Sequence, residues 1–328
     1  MEAIVLDDFG GPEVMRLGDI ERPKPGQDQI LIRVAATSVN RSDTLQRRGA
    51  YPPPPGESDI LGLEAAGTVE EIGANVQGFA VGERVTALLA GGGYAELAAA
   101  YAGHVLRMPD SMSFGEAACL CETYITAYLN LFMTAGLQDG ETVLLHGGGG
   151  GVNIAAIQLC KCLVPRSPIV VTASPAKLER VAELGVDRVV NYRNENFAEA
   201  VLDFTKGRGA DVILDHIGAA YLERNLKSLA VGGRLSLIGV MGGVEASLNL
   251  GRLMVNRQQI LGSVLRPRSV EEKAEIVAAF GRAVMPLLAE RRIVPVIDRV
   301  LPLSEAAEAH RVMEDSAHFG KIVLRVSA

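Results

Sequence analysis

Cysteine is scarce in this 328-residue sequence, and its four copies form two Cys-x-Cys pairs, Cys119 with Cys121 and Cys160 with Cys162. A zinc knuckle usually has two residues between its ligands, and disulfide frameworks are typical of small secreted chains. The five histidines show no ligand spacing either. We therefore expect reduced thiols in packed segments and no metal site.

The sequence also lacks blocks of basic charge and long apolar runs. Its net charge is −7, from 32 lysines and arginines against 39 acids, spread along the chain. Nucleic acid is therefore not an expected partner. No apolar run reaches the ~18 residues of a membrane span, and residues 1–13 carry acids where a signal peptide carries lysines. We expect a soluble cytoplasmic protein with no membrane partner.

Glycine, in contrast, is abundant, with 36 residues, and predicts many turns and close backbone approaches. The length fits two domains better than one. Residues 1–121 are interpreted as an antiparallel β unit, because short β-rich runs alternate with Gly-Pro and Gly-Gly-Gly. Its strands are expected at 30–40, 62–73 and 82–90. The run YPPPPG (51–56) must be an extended loop, since consecutive prolines cannot pair in a sheet.

From about residue 123 the pattern changes to alternating strands and helices. Short apolar runs predict six strands, at 142–147, 169–174, 188–192, 210–218, 234–243 and 258–265. Helical spacing predicts helices at 152–163 and 175–185, and a long amphipathic helix at 270–290 returns the chain to the first domain. The alternation predicts an α/β fold with a doubly wound, six-stranded parallel sheet.

A strand, a five-glycine run and a helix follow one another at 142–163. This arrangement allows backbone N–H groups and the helix dipole to hold a pyrophosphate. The simpler interpretation is a glycine-rich turn that binds nothing. We favour a dinucleotide site, because the flanking strand and helix are both recognisable.

The segment 164–178 contains no Asp or Glu, although NAD-binding folds usually place an acid there to accept from the ribose hydroxyls. It offers Ser174 and Lys177 instead. A carboxylate would repel a 2′-phosphate, whereas a hydroxyl and an ammonium attract it. Lys177 could also be an ordinary solvated lysine, but together with the absent acid it favours NADPH over NADH.

Motifs along the whole chain resemble the zinc-free quinone oxidoreductase (zeta-crystallin) branch of the medium-chain dehydrogenase/reductase superfamily, in particular the tumour-suppressor-induced subgroup. They are SVNRSDTLQRRGAYPPPPG, ILGLEAAGTVEEIG, VGERV, VLLHGGGGGVNIAAIQLCK, NYRNENF, GADVILDHIG, GGRLSLIG, LRPR and FGKIVL. The resemblance implies a Rossmann NADPH-binding domain at 123–265. It is inserted in a GroES-like, mainly antiparallel β catalytic domain formed by 1–122 and 266–328.

The resemblance also implies roles for individual residues. Asn40 and Tyr51 match residues at the nicotinamide face and the substrate mouth and are the catalytic candidates, with Asn40 as a hydrogen-bonding orienter. The remaining cofactor-binding matches are Gly150, Gly151 and Val152 at the pyrophosphate, Ser174, Lys177 and Tyr192 at the adenosine phosphate, and Thr126, Gly239, Met241, Leu265 and Arg266 around the nicotinamide.

Two departures from the family pattern lie near the dinucleotide loop. Asn153 stands where the family has its final loop glycine, and residues 164–168 (VPRSP) replace a shorter Gly-Ala connection. Asn tolerates unusual backbone angles, so the loop is expected to survive, with a tilted helix or weaker cofactor affinity. The longer connection bears on the assignment of Ser174.

Zinc-dependent relatives carry Cys where Asn40 stands and His where Leu63 stands. Without zinc to stabilise an alkoxide, alcohol oxidation is not expected. A quinone needs no such help, because its hydride adduct is an aromatic hydroquinone anion. The expected activity is NADPH:quinone reduction, with Tyr51 stacking on the substrate, donating a proton or merely filling space. Arg41 and Asp43 are expected to form a local ion pair.

Alternatives remain open for the substrate and the role. The acceptor could be an α,β-unsaturated carbonyl or an enoyl thioester, and Arg47 and Arg48 are the nearby basic candidates for a CoA phosphate. The chain could also be an NADPH-binding structural or RNA-binding protein of low turnover. A homodimer is expected through the apolar last strand at 258–265, which would otherwise present open backbone groups.

Overall fold

The computed structural model describes residues 1–326, and contacts divide the chain into two compact units. The first unit consists of Met1–Ile125 together with the chain from Leu265 onward, and the second is Thr126–Val264. Within residues 1–326, the first unit contains a two-stranded and a seven-stranded sheet and two hydrophobic core clusters, and the second contains one sheet and one such cluster. No helix among residues 1–326 has both the length and the apolar character needed to cross a bilayer.

The strands, in chain order, are β1 (Glu2–Leu6), β2 (Met15–Asp19), β3 (Gln29–Val39), β4 (Glu64–Ile72), β5 (Arg84–Leu88), β6 (Leu97–Tyr101), β7 (Val105–Arg107), β8 (Val143–His146), β9 (Ile169–Ala173), β10 (Arg188–Asn191), β11 (Ala210–Asp215), β12 (Leu229–Leu237), β13 (Gln259–Gly262), β14 (Ile297–Pro302) and β15 (Lys321–Arg325). The helices are α1 (Arg41–Arg47), α2 (Phe114–Ala117), α3 (Thr123–Tyr128), α4 (Gly151–Leu163), α5 (Leu178–Glu183), α6 (Phe197–Phe204), α7 (Leu222–Ser228), α8 (Leu250–Val255), α9 (Val270–Ala289) and α10 (Ala306–Glu314).

The first unit is built on a seven-stranded sheet. Its strand order is β14-β15-β3-β4-β5-β7, and β6 pairs with β3. These pairs are antiparallel except for β14 with β15, which run parallel. The predicted antiparallel β domain is confirmed, and the strands at 30–40, 62–73 and 82–90 are confirmed with shorter bounds. The chain's late segment supplies β14 and β15, so the two ends of the sequence share one sheet.

The second unit is built on a six-stranded sheet in which every pair is parallel. Its order is β10-β9-β8-β11-β12-β13, with the first strand in the chain, β8, at the centre. This is the doubly wound order in which ligands bind beyond the carboxyl ends of the strands. The predicted six-stranded Rossmann domain is confirmed. Strand β8 has only buried residues, which explains its three consecutive apolar residues, and its last residue, His146, is buried with both ring nitrogens hydrogen-bonded.

Several strand boundaries in this sheet differ from the prediction, and those of β12 differ most. Strand β12 begins at Leu229, five residues before the predicted start at 234, and ends at Leu237. The register against β11 shifts between Ala210 and Val212, and Gly232 has a φ of +78°. Gly232 therefore lies in a bulge within the strand. Strand β13 covers only Gln259–Gly262.

Candidate active site

The glycine loop (residues 147–150) connects the end of β8 to α4 and packs tightly against β9. The amides of Gly147 and Gly148 donate to the Thr172 carbonyl at 3.0 and 2.9 Å. A Cβ atom on Gly148 would lie 2.4 Å from Cγ1 of Val171. Gly147 has a φ of +81°, in the region that favours glycine. This loop therefore requires glycine at both positions, for different reasons.

Asn153 stabilises the loop from within α4. Its Nδ2 group donates to the carbonyls of His146 and Gly147, at 2.5 and 3.2 Å. The side chain is 2% exposed, and its Oδ1 atom has no hydrogen-bond partner in the part of the chain that the structure describes. The loop is formed despite the missing family glycine, because the amide of Asn153 holds the carboxyl end of β8.

The amino end of α4 follows the loop directly. Gly150 is its N-cap residue, and no side chain caps the first turn. The first residues of the helix are Gly151 and Val152, both predicted at the pyrophosphate. Uncapped amides and the positive end of the dipole of this 13-residue helix make its start suited to an anion.

The residues predicted at the adenosine phosphate lie at one edge of the same sheet. Ser174 follows β9, and Tyr192 follows β10. These two strands pair, with Asn191 opposite Ala173, so the two residues leave the sheet side by side. Lys177 ends the 3-10 turn Pro175–Lys177, which replaces the first turn of the predicted helix at 175–185. The longer connection before β9 leaves Ser174 directly after the strand.

Arg193 is a basic residue at this edge that the sequence analysis did not single out. Its side chain is exposed, and its guanidinium carbon lies 5.9 Å from the centroid of the Tyr192 ring. The signal was present in the sequence, because Arg193 completes the NYR motif from which only the tyrosine was used. The edge thus carries one more positive charge than predicted.

Three of the residues predicted around the nicotinamide lie in the second unit. Thr126 is in α3, whereas Gly239 and Met241 follow β12. A Cβ atom on Gly239 would lie 3.1 Å from the His216 carbonyl oxygen, so a side chain there would crowd the preceding loop. Met241 donates its amide to the same carbonyl at 3.0 Å and exposes its side chain.

In the first unit, Asn40 lies between β3 and α1 and contacts a buried ion pair. Its Oδ1 atom accepts from Nζ of Lys321 at 2.6 Å, and its Nδ2 donates to Oε1 of Glu64 at 3.0 Å. Lys321 and Glu64 are paired at 3.1 Å, with side chains 4% and 0% exposed. Ser38 also donates to Glu64. The amide of Asn40 is therefore fixed in one orientation by two charges.

Asp43 lies one turn into α1 and is completely buried. Its carboxylate accepts from the backbone N–H groups of Asn40 and Gly62, at 2.8 and 3.2 Å, and from the Tyr94 hydroxyl at 3.2 Å. Burial raises the pKa of Asp43 to about 6, although these hydrogen bonds lower it. Asp43 thus connects Asn40 to the loop that carries Leu63.

The expected ion pair between Arg41 and Asp43 is wrong. Arg41 donates from Nη2 to the Met313 carbonyl at 2.8 Å, and no ion pair between Arg41 and Asp43 occurs among residues 1–326. The two residues are two positions apart on α1, a spacing at which helical side chains do not face each other.

Arg47 is buried with no exposed surface and continues the network from Asp43. Its Nη1 lies 3.1 Å from Nδ1 of His310, whose Nε2 lies 3.1 Å from the Tyr94 hydroxyl. Its Nη2 is paired with Glu314 at 2.5 Å. Burial, and then the charge of Arg47, lower the pKa of His310 to about 3. Arg47 therefore belongs to a buried network and offers no entrance for a CoA phosphate.

Tyr51 is held by Arg266. The guanidinium donates to the Tyr51 carbonyl at 3.0 Å, to the Ala90 carbonyl at 2.8 Å and to Oε1 of Gln46 at 2.7 Å, and its carbon lies 5.2 Å from the centroid of the Tyr51 ring. Gln46 in turn donates to the Asp59 carbonyl at 2.9 Å. Arg266 and Gln46 thus bond to each other and hold the chain at Tyr51 and at Asp59, on either side of the proline run.

Burial raises the pKa of the Tyr51 hydroxyl to about 12, with a smaller contribution from the charge of Glu122. The hydroxyl is therefore a weaker acid than that of a free tyrosine. Leu265 and Arg266, both predicted at the nicotinamide, lie in this first unit and are buried. The nitrogens of Arg266 already bond within the unit, so its direct role here is to position Tyr51.

Comparison with known proteins agrees with these two folds. Residues 26–110 match the family described as "Alcohol dehydrogenase GroES-like domain", and residues 151–281 match that described as "Zinc-binding dehydrogenase". Human quinone oxidoreductase is 33% identical, over 99% of this chain and 97% of its own length. The chain belongs to the quinone oxidoreductase branch of the medium-chain dehydrogenase/reductase superfamily. It is an oxidoreductase.

Solved structures from this superfamily carry more than one activity. A mycobacterial protein complexed with NADPH has a TM-score of 0.89 and 30% identity, covering 99% of this chain and 100% of its own. An NAD-dependent alcohol dehydrogenase has a TM-score of 0.88 and 32% identity, covering 100% of both chains. The fold is thus common to proteins with different cofactors, and the side chains must distinguish between them.

Side chains at the zinc positions of the superfamily differ in this member. Asn40 contacts the ammonium of Lys321, and Leu63 is buried. Across residues 1–326 no group of three or more His, Cys, Asp or Glu side chains could hold a metal ion. Burial raises the pKa of the thiols of Cys119 and Cys121, so both are expected to stay protonated.

Glu122 is a further residue that the sequence analysis missed, as are Lys321 and Glu64. Its backbone N–H donates to Oε2 of Glu64 at 2.9 Å, which places it beside the ion pair at Asn40. Burial, then the charges of Glu64 and Asp43, raise the pKa of its carboxyl to about 8. The sequence did contain a signal for this residue, because Glu122 is an acid directly before the apolar helix α3. We call Asn40, Asp43, Glu64, Glu122 and Lys321 the polar cluster.

Proposed function

We propose that the chain is an NADPH-dependent reductase that transfers hydride to a quinone without zinc. The observation that carries the proposal is the Lys321 ammonium, 2.6 Å from the side-chain oxygen of Asn40. A divalent cation bound at Asn40 would be repelled by this charge. Neither Asn40 nor Leu63 is a zinc ligand of the usual kind.

The chemistry of a quinone suits such a site. When bound, NADPH supplies the hydride, and the product is a hydroquinone anion whose charge is delocalised in an aromatic ring. An alcohol substrate would instead pass through a localised alkoxide, which needs a Lewis acid. The side chains of the polar cluster can orient the substrate oxygen and hold a proton, and this is sufficient for a quinone.

The residues of the second unit fit NADPH. The close packing of Gly148 and the uncapped start of α4 suit a pyrophosphate. Ser174, Lys177 and Arg193 would hold the 2′-phosphate, and Tyr192 would contact the adenosine. No acid between residues 164 and 178 would repel that phosphate. These side chains favour NADPH over NADH although the fold itself does not.

Tyr51 would contact the substrate through its ring. Arg266 and Gln46 hold the loop that carries it, and the raised pKa of its hydroxyl makes proton donation less favourable. An enoyl-CoA substrate is less well supported, because Arg47 is buried and Arg48 is paired with Glu314 at 2.6 Å. Neither arginine offers a free charge to a CoA phosphate.

The experiment is NADPH oxidation with a panel of acceptors: ortho-quinones, para-quinones, alkenals and crotonyl-CoA. We expect the quinones to give the highest kcat/KM. Tyr51→Phe should keep most of the turnover, and Tyr51→Ala should raise KM through lost contact area. Preference for an alkenal or crotonyl-CoA, together with a ~10²-fold or larger loss in Tyr51→Phe, would assign the chain to the alternative activity.

We also propose a homodimer formed through β13, and a cytoplasmic location. β13 is the last strand of its sheet, and one of its edges pairs with no strand among residues 1–326. Exposed apolar side chains lie near it in the sequence: Val244, Leu250, Met254, Val255 and Val264. Pairing with a second copy would cover this edge. Light scattering at micromolar concentration should give the dimer mass, and a monomer would contradict the proposal.

A further inference from the structure

The polar cluster contains more acids than the nearby cations neutralise. Asp43, Glu64 and Glu122 face two cations, Lys321 and Arg266, which act on the carboxyl of Glu122. A third cation, Lys273, also acts on Glu122, but the charge of Glu57 balances it. Three carboxylates and two cations would leave one negative charge in a mostly buried site. Since an uncompensated buried charge is costly, one of the three acids is expected to hold a proton.

The hydrogen bonds identify which acid that is. Glu64 accepts from Lys321, Ser38 and Asn40, and Asp43 accepts from two backbone N–H groups and a tyrosine. The carboxyl of Glu122 receives no such donor from any residue that the structure describes. Hydrogen bonds to the charged form favour ionisation, and Glu122 lacks them. The proton therefore belongs on Glu122.

Exposure points to the same residue. Glu64 and Asp43 have no exposed surface, whereas the side chain of Glu122 is partly exposed. Of these three acids, only Glu122 can exchange its proton with water without a change in the fold. It also acts electrostatically on Tyr51 and Arg266, which places it near the ring expected to contact the substrate.

Several groups set the protonation of Glu122. Burial raises its pKa to about 8, as do the charges of Glu64 and Asp43, and the cations oppose this shift. The titratable and charged groups that interact with it are Asp43, Tyr51, Glu64, Cys121, Arg266, Lys273 and Lys321. The carboxyl is thus neutral at pH 7 and can still lose its proton.

We infer that Glu122 is the proton donor to the reduced substrate, an inference that rests on the proposed quinone reductase function. Hydride transfer adds two electrons and one hydrogen to the quinone and leaves a hydroquinone anion. The O–H bond of the Glu122 carboxyl breaks, and a new O–H bond forms on the anionic oxygen. Water then returns a proton to the Glu122 carboxylate. Tyr51 is left to contact the ring of the substrate.

The first test is spectroscopic and needs no turnover. At pH 7 the wild type should show the infrared carbonyl band of a protonated carboxylic acid, lost on titration near pH 8 and missing in Glu122→Gln. Glu275→Gln, which removes an exposed acid on α9, should leave the band in place. A wild-type band that Glu122→Gln does not remove, or no such band at all, would overturn the inference.

The second test is the pH profile of kcat. With the best acceptor of the panel, wild-type kcat should fall above about pH 8, and Glu122→Gln should lose this limb. Its kcat at pH 7 should drop about 10-fold. This is less than the usual ~10²–10⁴-fold for a general acid, because water can protonate a hydroquinone anion. NADPH affinity should be unchanged.

The two proposals can fail separately. If quinones are reduced and Glu122→Gln keeps both the wild-type kcat and its pH limb, the proton donor is wrong and the quinone reductase stands. If only alkenals are reduced, the quinone assignment is wrong, and the same pH limb then tests Glu122 on a more basic carbanion. In that case the loss in Glu122→Gln should be larger.

Discussion

The glycine loop of the second unit and the polar cluster of the first unit differ in the groups that hold them together. The loop is held by backbone groups of Gly147, Gly148 and Thr172 and by the side chain of Asn153, all within residues 147–172. The cluster uses four ionisable side chains, those of Asp43, Glu64, Glu122 and Lys321, together with the amide of Asn40. Its members come from four separate segments that only the completed sheet brings together.

This difference determines how each region responds to substitution. A backbone loop tolerates many side chains but fails where a Cβ atom has no space. A charged cluster tolerates loose packing but loses stability when one charge is left without its partner. Four predictions, in order of decreasing expected effect, test this contrast.

The largest effect is expected for Lys321→Met. It leaves Glu64 buried and unpaired, which should cost about 3–5 kcal/mol of unfolding free energy. The double variant Lys321→Met, Glu64→Gln should recover much of this loss. Arg16→Met, which removes an exposed ion pair with Asp7, should cost about 1 kcal/mol or less. Urea unfolding measures all three, and equal losses for the buried and the exposed pair would contradict the contrast.

The pH dependence of stability comes next. Burial lowers the pKa of His146 to about 4 and that of His310 to about 3. On these two histidines the unfolded chain binds more protons than the folded chain between about pH 4 and 6.5, so their contribution to stability rises with pH across this range. Asp43 and Glu122 oppose this rise, because their folded pKa values are raised to about 6 and about 8 and their ionisation destabilises the fold.

Urea unfolding at several pH values separates these contributions. The variant Asp43→Asn removes one of the two opposing groups, so its stability should rise more steeply with pH from 4 to 6.5 than that of the wild type. The comparison uses the slope with pH and not the absolute stability, which also changes as hydrogen bonds are lost. A flatter slope in the variant would show that Asp43 is ionised at low pH in the folded state.

A smaller effect is expected for Lys177→Ala. A charge-assisted hydrogen bond contributes roughly 1.5–3 kcal/mol, so NADPH affinity should fall about tenfold or more while NADH affinity barely changes. Lys227→Ala, on α7 of the same unit, controls for the loss of one positive charge. Equal wild-type affinities for NADPH and NADH, measured by fluorescence titration, would contradict the cofactor assignment.

The smallest effect is expected for Asn153→Gly, which restores the glycine of the family pattern. It removes two hydrogen bonds to the end of β8 and adds a helix glycine, so stability should fall by about 1–2 kcal/mol. Asn153→Ala is the matched control, because it removes the amide without the glycine. If the glycine variant is as stable as the wild type, the amide does not stabilise the loop.

The same contrast explains which features the sequence could predict. The six parallel strands and the loop at 142–163 have local signals: uniform apolar runs, glycines and helical spacing. The start of β12 differs from the prediction because a bulge at Gly232 separates Leu229 from the apolar run that begins at 234. The family pattern located Asn40 and Tyr51, and their cofactor and substrate roles stay predictions, as does the domain division at 122/123 and 265/266.

Long-range contacts account for what the sequence could not predict. Nothing near Arg47 indicates that it is buried against His310, 263 positions later. Arg266 was assigned to the cofactor by resemblance, whereas its nitrogens bond to Tyr51, Ala90 and Gln46. The ammonium of Lys321 reaches Asn40 across 281 positions. Such pairs depend on the register of the completed sheet, which local patterns do not encode.

Arg47, His310, Tyr94 and Asp43 form a row of hydrogen bonds, and the direction of donation along this row is fixed. An arginine can only donate, so Nδ1 of His310 must accept, and this fixes the tautomer with hydrogen on Nε2. That hydrogen points to Tyr94, whose own hydrogen points to Asp43. A proton cannot leave along this row, because its far end is a guanidinium that stays charged. The row therefore provides no path for protons between the polar cluster and the surface near α10.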